Sequence, residues 1–171
     1  MSFHHIALAT TDLAATDRFY REAMGFDLVR VDVVSTEGGG WAKHAFYDTG
    51  TDGLIAFWDI HDDTIGDFDP AMSGAHGLPT WVNHLAFHAD DRADLDRHLK
   101  QWLEYGIDVV EIDHDWCTSI YATDPSGTMV EWCLTTRGVT DDDRVEARRL
   151  LHDPAPDPGG EPRLTIHAAT A

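Results

Sequence analysis

His5-Ile6-Ala7-Leu8, followed by Asp12-Leu13, Phe19-Tyr20-Arg21 and Gly25-Phe26, returns later in the chain as His84-Leu85-Ala86-Phe87, a helical run and Gly106-Ile107. Each copy then runs on to a Tyr, a Gly-bearing turn and a strand: Phe46-Tyr47-Asp48-Thr49-Gly50-Thr51-Asp52-Gly53-Leu54-Ile55-Ala56-Phe57-Trp58 against Ile120-Tyr121-Ala122-Thr123-Asp124-Pro125-Ser126-Gly127-Thr128-Met129-Val130-Glu131-Trp132. Laid together without a gap, these put Tyr47 on Tyr121, Gly53 on Gly127, Trp58 on Trp132 and Phe57 on Glu131. Two histidines and one carboxylate thus take equivalent places in two copies of one unit, and the fourth place is apolar. That is the count of an open metal site.

Working outward, residues 3–9 alternate as a strand, with His5, Ala7 and Ala9 on one face. Thr11 or Asp12 caps a helix that Gly25 ends. Three strands follow, near 27–34, 41–48 and 53–60, so the unit is β-α-β-β-β. The stretch 62–79 is rich in Asp, Gly and Pro and reads as a linker. Val82 then opens the second copy: a strand carrying His84, Ala86 and His88 on one face, a helix over 90–105 closed by Gly106, and strands near 107–112, 116–123 and 128–135. The expected domains are a first module over 1–62, a linker over 63–80, a second module over 81–137 and a C-terminal extension over 138–171. The extension reads as a short polar helix near 140–152, then a tail too rich in Pro, Gly and Asp to pack well. The fold class is α+β: two paired β-α-β-β-β modules whose sheets curl into a cup with the helices outside.

Composition narrows the function. The chain has 171 residues, enough for one sizeable core or two small ones packed together. With 12 Lys and Arg against 31 Asp and Glu, its formal charge of -19 argues against a nucleic-acid partner. No run is apolar enough to span a membrane and no signal-peptide pattern precedes the first strand, so a cytoplasmic protein is expected. Cys117 and Cys133 lie outside any C-x-x-C spacing and read as reduced packing residues.

Glu131 sits among apolar neighbours in Met129-Val130-Glu131-Trp132-Cys133, where an unpaired buried carboxylate would be costly. Something must compensate it. A metal shared with His5 and His84 does so, and so would an Arg or a hydrogen-bonded network; the chemistry alone leaves these open.

The ordered set His5-Ile6-Ala7-Leu8, Asp12-Leu13, Phe19-Tyr20-Arg21, Gly25-Phe26, His84-Leu85-Ala86-Phe87, Tyr121 and Asp124-Pro125-x-Gly127-x-x-x-Glu131 resembles the vicinal oxygen chelate superfamily over residues 3–136. That superfamily includes glyoxalase I, extradiol dioxygenases, fosfomycin-resistance enzymes, methylmalonyl-CoA epimerase and metal-free bleomycin-binding proteins. The resemblance implies a divalent metal that substrates chelate through neighbouring oxygens, with His5, His84 and Glu131 as ligands, and a homodimer as the family's habit. Glyoxalase I and the epimerase fill the fourth place with an acid or Gln, whereas here it is read as Phe57. Two His and one carboxylate instead match the facial triad of Fe(II) oxygenases. Tyr121 matches a Tyr that touches the substrate oxygen in extradiol enzymes. A further His serves there as acid or base; His76, His88 and His114 are candidates, with His114 preferred because it leads into the strand of Tyr121.

The expected function is therefore a metal-dependent oxygenase of extradiol type acting on a catechol-like or other vicinally oxygenated aromatic small molecule. Fe(II) is the first choice of metal, with Mn, Zn or Ni behind it. Two alternatives stand beside it: a glyoxalase-like lyase or isomerase using a redox-silent metal, and a non-catalytic aromatic-ligand binding or resistance protein. Trp41, Trp58, Trp116 and Trp132 lie on or beside strands, and strand parity sends Trp58 and Trp132 away from the cup.

Overall fold

The side chains that alternate inward along both copies meet in one apolar core, and the architecture follows from how they are delivered there. A computed structural model of the chain describes residues 3–50, 53–160 and 162–169. The first module runs β1 (His5–Thr10), α1 (Leu13–Arg18) continued by a π-helical turn (Phe19–Ala23), β2 (Asp27–Ser35), β3 (Trp41–Asp48) and β4 (Leu54–His61). The second runs β5 (His84–His88), α2 (Arg92–Tyr105), β6 (Val109–Asp113), β7 (Cys117–Thr123) and β8 (Met129–Thr135), followed by α3 (Asp141–Leu151) and β9 (Arg163–His167). The sheets are ordered β1-β4-β3-β2 and β5-β8-β7-β6-β9, with β1 parallel to β4, β5 parallel to β8 and the remaining pairs antiparallel. The sheets stay open, and the chain is a mixed α+β fold of the vicinal oxygen chelate kind. The expected turn after β3 includes Thr51 and Asp52, which lie outside the described residues.

Local chemistry sets the helix ends. The Asp12 carboxylate accepts from the Ala15 N–H at 2.9 Å and the Asp91 carboxylate from the Asp94 N–H at 2.9 Å. Gly106, at φ +97, turns the chain out of α2. Thr140 and Asp143 form a capping box that starts α3.

The modules join through their helix sides. Phe26 packs edge-on against Phe87 at 5.1 Å and Trp132 at 6.1 Å between ring centroids, and Phe19 meets Tyr105. The fully buried Tyr20 donates its hydroxyl to Asp124 at 2.9 Å, tying the first helix to the β7–β8 turn. Asp124 also accepts from the Ser126 and Thr128 N–H groups, so it is satisfied; burial nonetheless raises its carboxyl above the usual range. Gln101 of α2 donates to the Glu22 carbonyl at 2.8 Å. Because the helix-facing residues of both sheets belong to this one core, the alternate residues of each strand turn away from it.

The C-terminal stretch departs from the expectation of a weakly packed tail. Arg163-Leu164-Thr165-Ile166-His167 pairs along the whole of β6 as a fifth strand. Its period-two alternation was present in the sequence, but the Pro- and Gly-rich run before it obscured the signal.

Candidate metal centre and its cavity

Glu131 stands on the outward face of β8, and the register of the sheet names its neighbours. It lies opposite Ala86 on β5 and Tyr121 on β7, so His84, His88, Tyr121, Ser119 and Cys133 share its face. Its side chain is 7 % exposed, and its Oε2 lies 3.0 Å from His84 Nε2. The His84 Nδ1 lies 3.0 Å from the Trp81 carbonyl, an arrangement that fixes the ring when Nδ1 carries the proton. The compensation that the buried carboxylate required is therefore an imidazole.

Tyr121 meets the same group from the other side. Its ring centroid is 6.3 Å from that of His84, and its hydroxyl lies 2.9 Å from His114 Nε2. Burial holds the phenol above its ordinary pKa, and the Glu131 carboxylate acts in the same direction, so Tyr121 stays protonated at neutral pH. His114 is presented by a tight β6–β7 turn in which Asp115 takes φ +72, a conformation that Asp tolerates better than most residues. Arg137 clamps that turn, reaching Asp115 at 2.9 Å and Asp143 of α3 at 2.8 Å. His76, in an exposed turn, and His88, 3.6 Å from Asp90, make no such contact with Tyr121.

These groups front a cavity of about 450 Å³ bounded by Trp81, His84, Val110, Ile112, His114 and Tyr121. Trp81, 65 % exposed, forms an aromatic wall that strand pattern could not reveal, because it precedes β5 rather than lying on it. A second, largely apolar cleft of about 600 Å³ runs between the edge strands β1 and β5, lined by Phe3, Ile6, Leu54, Leu85 and Phe87, and it also reaches His84.

His5 stands apart from this group. It is exposed on the outward face of β1, with His44 at 5.9 Å and Phe46 at 5.5 Å between ring centroids, and its Nδ1 lies 2.8 Å from that of His4. Among the described residues, no three His, Cys, Asp or Glu side chains converge in a way that would hold a metal ion. One chain thus brings together His84, Glu131, Tyr121 and His114 and leaves His5 on the other sheet.

Register also corrects the pairing of the two modules. His5 lies opposite Leu54 and His84 opposite Met129, so the counterpart of Glu131 is Ala56 and the counterpart of Trp132 is Phe57. Across the next strand, Ala56 faces Phe46 and Glu131 faces Tyr121, so Phe46 and not Tyr47 is the counterpart of Tyr121. Phe57 is fully buried on the helix side, 4.5 Å from Tyr20, and the Tyr47 hydroxyl donates to Asp17 of α1. Trp132 does face the helices, stacked on His98 at 3.5 Å, but Trp58 turns outward onto His44 at 3.8 Å. The fourth place is apolar as expected, but it belongs to Ala56. The false match came from the glycines: Gly127 takes φ +81, whereas the left-handed glycine of the first turn is Gly50 at φ +79 and not Gly53.

Paired β-α-β-β-β modules whose outward faces carry a His on each first strand and an acid on the last define a protein of the vicinal oxygen chelate class. The family model described as the Glyoxalase/Bleomycin resistance protein/Dioxygenase superfamily matches residues 2–132, and the chain belongs to that superfamily. Among solved structures it is similar to a lactoylglutathione lyase from Agrobacterium tumefaciens, at 24 % identity over 78 % of this chain and 92 % of that one, with a TM-score of 0.53. TnmS3, an antibiotic-binding protein from Streptomyces sp. CB03234, shares 18 % identity over 80 % and 97 % at 0.54, and the fosfomycin-resistance protein FosX from Listeria monocytogenes 16 % over 84 % and 98 % at 0.54. Identities this low establish the shared fold. No curated protein matches the sequence significantly. No helix among the described residues is long and apolar enough to cross a membrane.

Proposed function

We propose that this chain is a metal-dependent oxygenase of extradiol type, acting on a small aromatic compound with two neighbouring oxygens, and that its site is completed by a second copy of the chain. The observation that carries this reading is the cavity lined by His84, Tyr121 and His114, with Glu131 held 3.0 Å from His84. Both outward faces turn from the shared core, so the sheet bearing His5 meets the sheet bearing Glu131 when another chain supplies one of them. Exposed Leu164 and Ile166 on β9 give such a contact apolar surface to bury.

The donor set suits a divalent ion, Fe(II) on this reading with Mn, Zn or Ni as the other candidates: two imidazoles and a carboxylate, with Ala56 leaving the fourth place free. His5 of one copy and His84 and Glu131 of the other would hold it, and when bound it would supply Lewis-acid and redox chemistry towards a substrate with two neighbouring oxygens. The protein's own part is positioning and proton transfer. Trp81 and Ile112 flank the ring of an aromatic substrate, Tyr121 offers a neutral hydroxyl to a substrate oxygen, and His114 accepts or returns the proton through it.

The test combines metal analysis with chain mixing. Anaerobically purified protein is expected to carry near-stoichiometric iron and to consume O2 with catechols, and His5→Ala and Glu131→Ala are each expected to lose both properties. Mixing and reassembling the two inactive variants restores one intact site per mixed pair, so partial activity returns. Absence of metal in the wild type under any loading condition sinks the enzyme reading, and no recovery on mixing sinks the shared site. Activity retained with Zn(II) alone would favour lyase or isomerase chemistry.

A second reading has an observation of its own. His84 already compensates Glu131 at 3.0 Å, and the apolar cleft beside it needs no metal to take an aromatic ligand. A non-catalytic binding protein of this kind would keep its ligand affinity in Glu131→Ala.

A further inference from the structure

We propose that β2 is a docking edge for a second copy of this chain: the two β2 strands run antiparallel about a two-fold axis at Val31 and join the first sheets of both copies into one. This contact goes beyond the shared-site reading and uses a different part of the molecule. His5 lies on β1, whereas β2 is the opposite edge of the same sheet, so the two contacts do not compete for one strand.

The edge is open and apolar. β2 runs nine residues, Asp27–Ser35, and pairs with β3 alone among the described residues. Its counterpart β6, which likewise follows the helix of its module, is covered along its length by β9. A free strand edge presents unpaired N–H and C=O groups, and proteins blunt such edges with Pro, Lys or a covering segment. β2 carries neither residue and no cover, only a bulge between Leu28 and Arg30 that confines the regular ladder to the stretch beyond it. Val31 and Val33 lie on the helix side, opposite Ala45 and Lys43, yet they are 45 % and 66 % exposed. A cleft of about 260 Å³ between α1 and β2, with Leu13, Leu28 and Val31 on its walls, continues this apolar surface.

Charge selects the partner and the register. With a formal charge of -19, copies of the chain repel one another, but residues 28–34 hold one Arg and one Asp and are net neutral. Arg30 and Asp32 lie on the outward face, opposite Phe46 and His44, and pair with each other at 2.7 Å. In an antiparallel pair of β2 strands centred on Val31, Arg30 of each copy stands opposite Asp32 of the other, and the four side chains form a square of alternating charge. Val31 then meets Val31, and Val29 meets Val33. A centre one residue away, at Arg30 or at Asp32, would set like charges against each other. The strand is complementary to itself in one register, which is what a contact between identical patches requires.

Sedimentation equilibrium of the full-length chain reads the contact. Two different two-fold contacts per chain link shared-site pairs to each other, and the wild type is expected as an assembly of four copies. Arg30→Asp sets Asp against Asp twice and Asp32→Arg sets Arg against Arg twice, so each is expected to fall to pairs, with the β2 contact weakened about tenfold or more. Mixed in equal amounts, the two variants regain both opposite-charge pairs and are expected to return to four, as is the double variant Arg30→Asp/Asp32→Arg. Lys100→Asp, the same change of charge at an exposed position of α2, is expected to leave the assembly at four. Pairs in the wild type that neither variant disturbs, or single variants that fall apart yet fail to complement one another on mixing, would overturn the β2 contact and leave the shared site standing. A monomeric wild type would overturn both. A wild-type pair that splits in each single variant and re-forms on mixing would keep the β2 contact and overturn the shared site instead.

Discussion

The two sheets share one plan and spend their outward faces differently. At matching register positions the first carries His5, Ala56, Phe46 and His44, and the second carries His84, Glu131, Tyr121 and Ser119. The first face gathers imidazoles over a floor of alanines among aromatic rings. The second sets a phenol and two imidazoles, His84 and His114, around a cavity, with a carboxylate 3.0 Å from His84. A repeat in this fold is thus a repeat of scaffold. The division of labour follows from which strand positions keep chemistry and which fall back to methyl and phenyl groups.

Adjacent residues of β4 give the sharpest way to break this comparison. Ala56→Glu puts an acid at the counterpart of Glu131, on the outward face. Metal-free protein should lose stability, because Ala56 is fully buried and a longer, charged side chain must be fitted beneath the imidazoles of that face. A divalent metal should restore most of the loss, while closing the open position and abolishing O2 chemistry. Phe57→Glu, one residue on, buries its charge against Tyr20 on the helix side, and no metal should rescue it. Thermal melts of both variants with and without metal decide the matter. Rescue of Phe57→Glu rather than Ala56→Glu would mean that the register assignment is wrong.

That one-residue distinction also marks how far the sequence could be read. The strands, both main helices and their caps were legible, because alternation, Asp12, Asp91, Gly25 and Gly106 are local signals. His84, Glu131, Tyr121 and His114 were legible as well, and the structure gathers them. The fourth place was not, since letter matching favoured Tyr47, Gly53 and Trp58, whereas facing is decided by hydrogen-bonded register, which only the paired strands reveal. Trp81 was missed because it precedes its strand, outside the alternation that marks a face. The separation of His5 from Glu131 depends on how two modules share a core, and no local signal encodes that.

The helix sides of the two sheets differ in a way that pH should expose. Behind Phe57 stands Tyr20, hydrogen-bonded to Asp124; behind its counterpart Trp132 stands His98, 4 % exposed and with an unpartnered Nδ1. Burial and the neighbouring Arg97, opposed by Asp94, lower the His98 pKa to about 4 from an ordinary value of 6.5. A group held neutral in the fold contributes stability that is fully present above the unfolded pKa and is lost as pH falls through the folded one. The window therefore runs from pH 6.5 down to about 4, with a loss of up to about 3 kcal/mol. His98→Phe should flatten urea-denaturation stability across that window. A slope as steep as the wild type's would place the acid sensitivity elsewhere, with the shared-site histidines as the next groups to vary.

The smallest expected effect concerns how the second face holds its His114 and Tyr121 pair, which the first face lacks. Arg137 bridges Asp115, in the turn that presents His114, and Asp143, in the capping box of α3. The C-terminal extension thereby bears on the cavity without lining it: α3 fixes Arg137, Arg137 fixes a turn held at positive φ, and that turn aims His114 Nε2 at Tyr121. The bridge is solvent-exposed, so salt should screen it, and its removal should cost orientation more than folding. Arg137→Ala should lower kcat about threefold with KM and melting temperature little changed, and at high salt the wild type should fall towards the variant. An unaltered kcat would mean that the backbone hydrogen bonds from Thr136 and Arg137 to the Trp116 carbonyl hold the turn by themselves, leaving the extension no part in aiming His114.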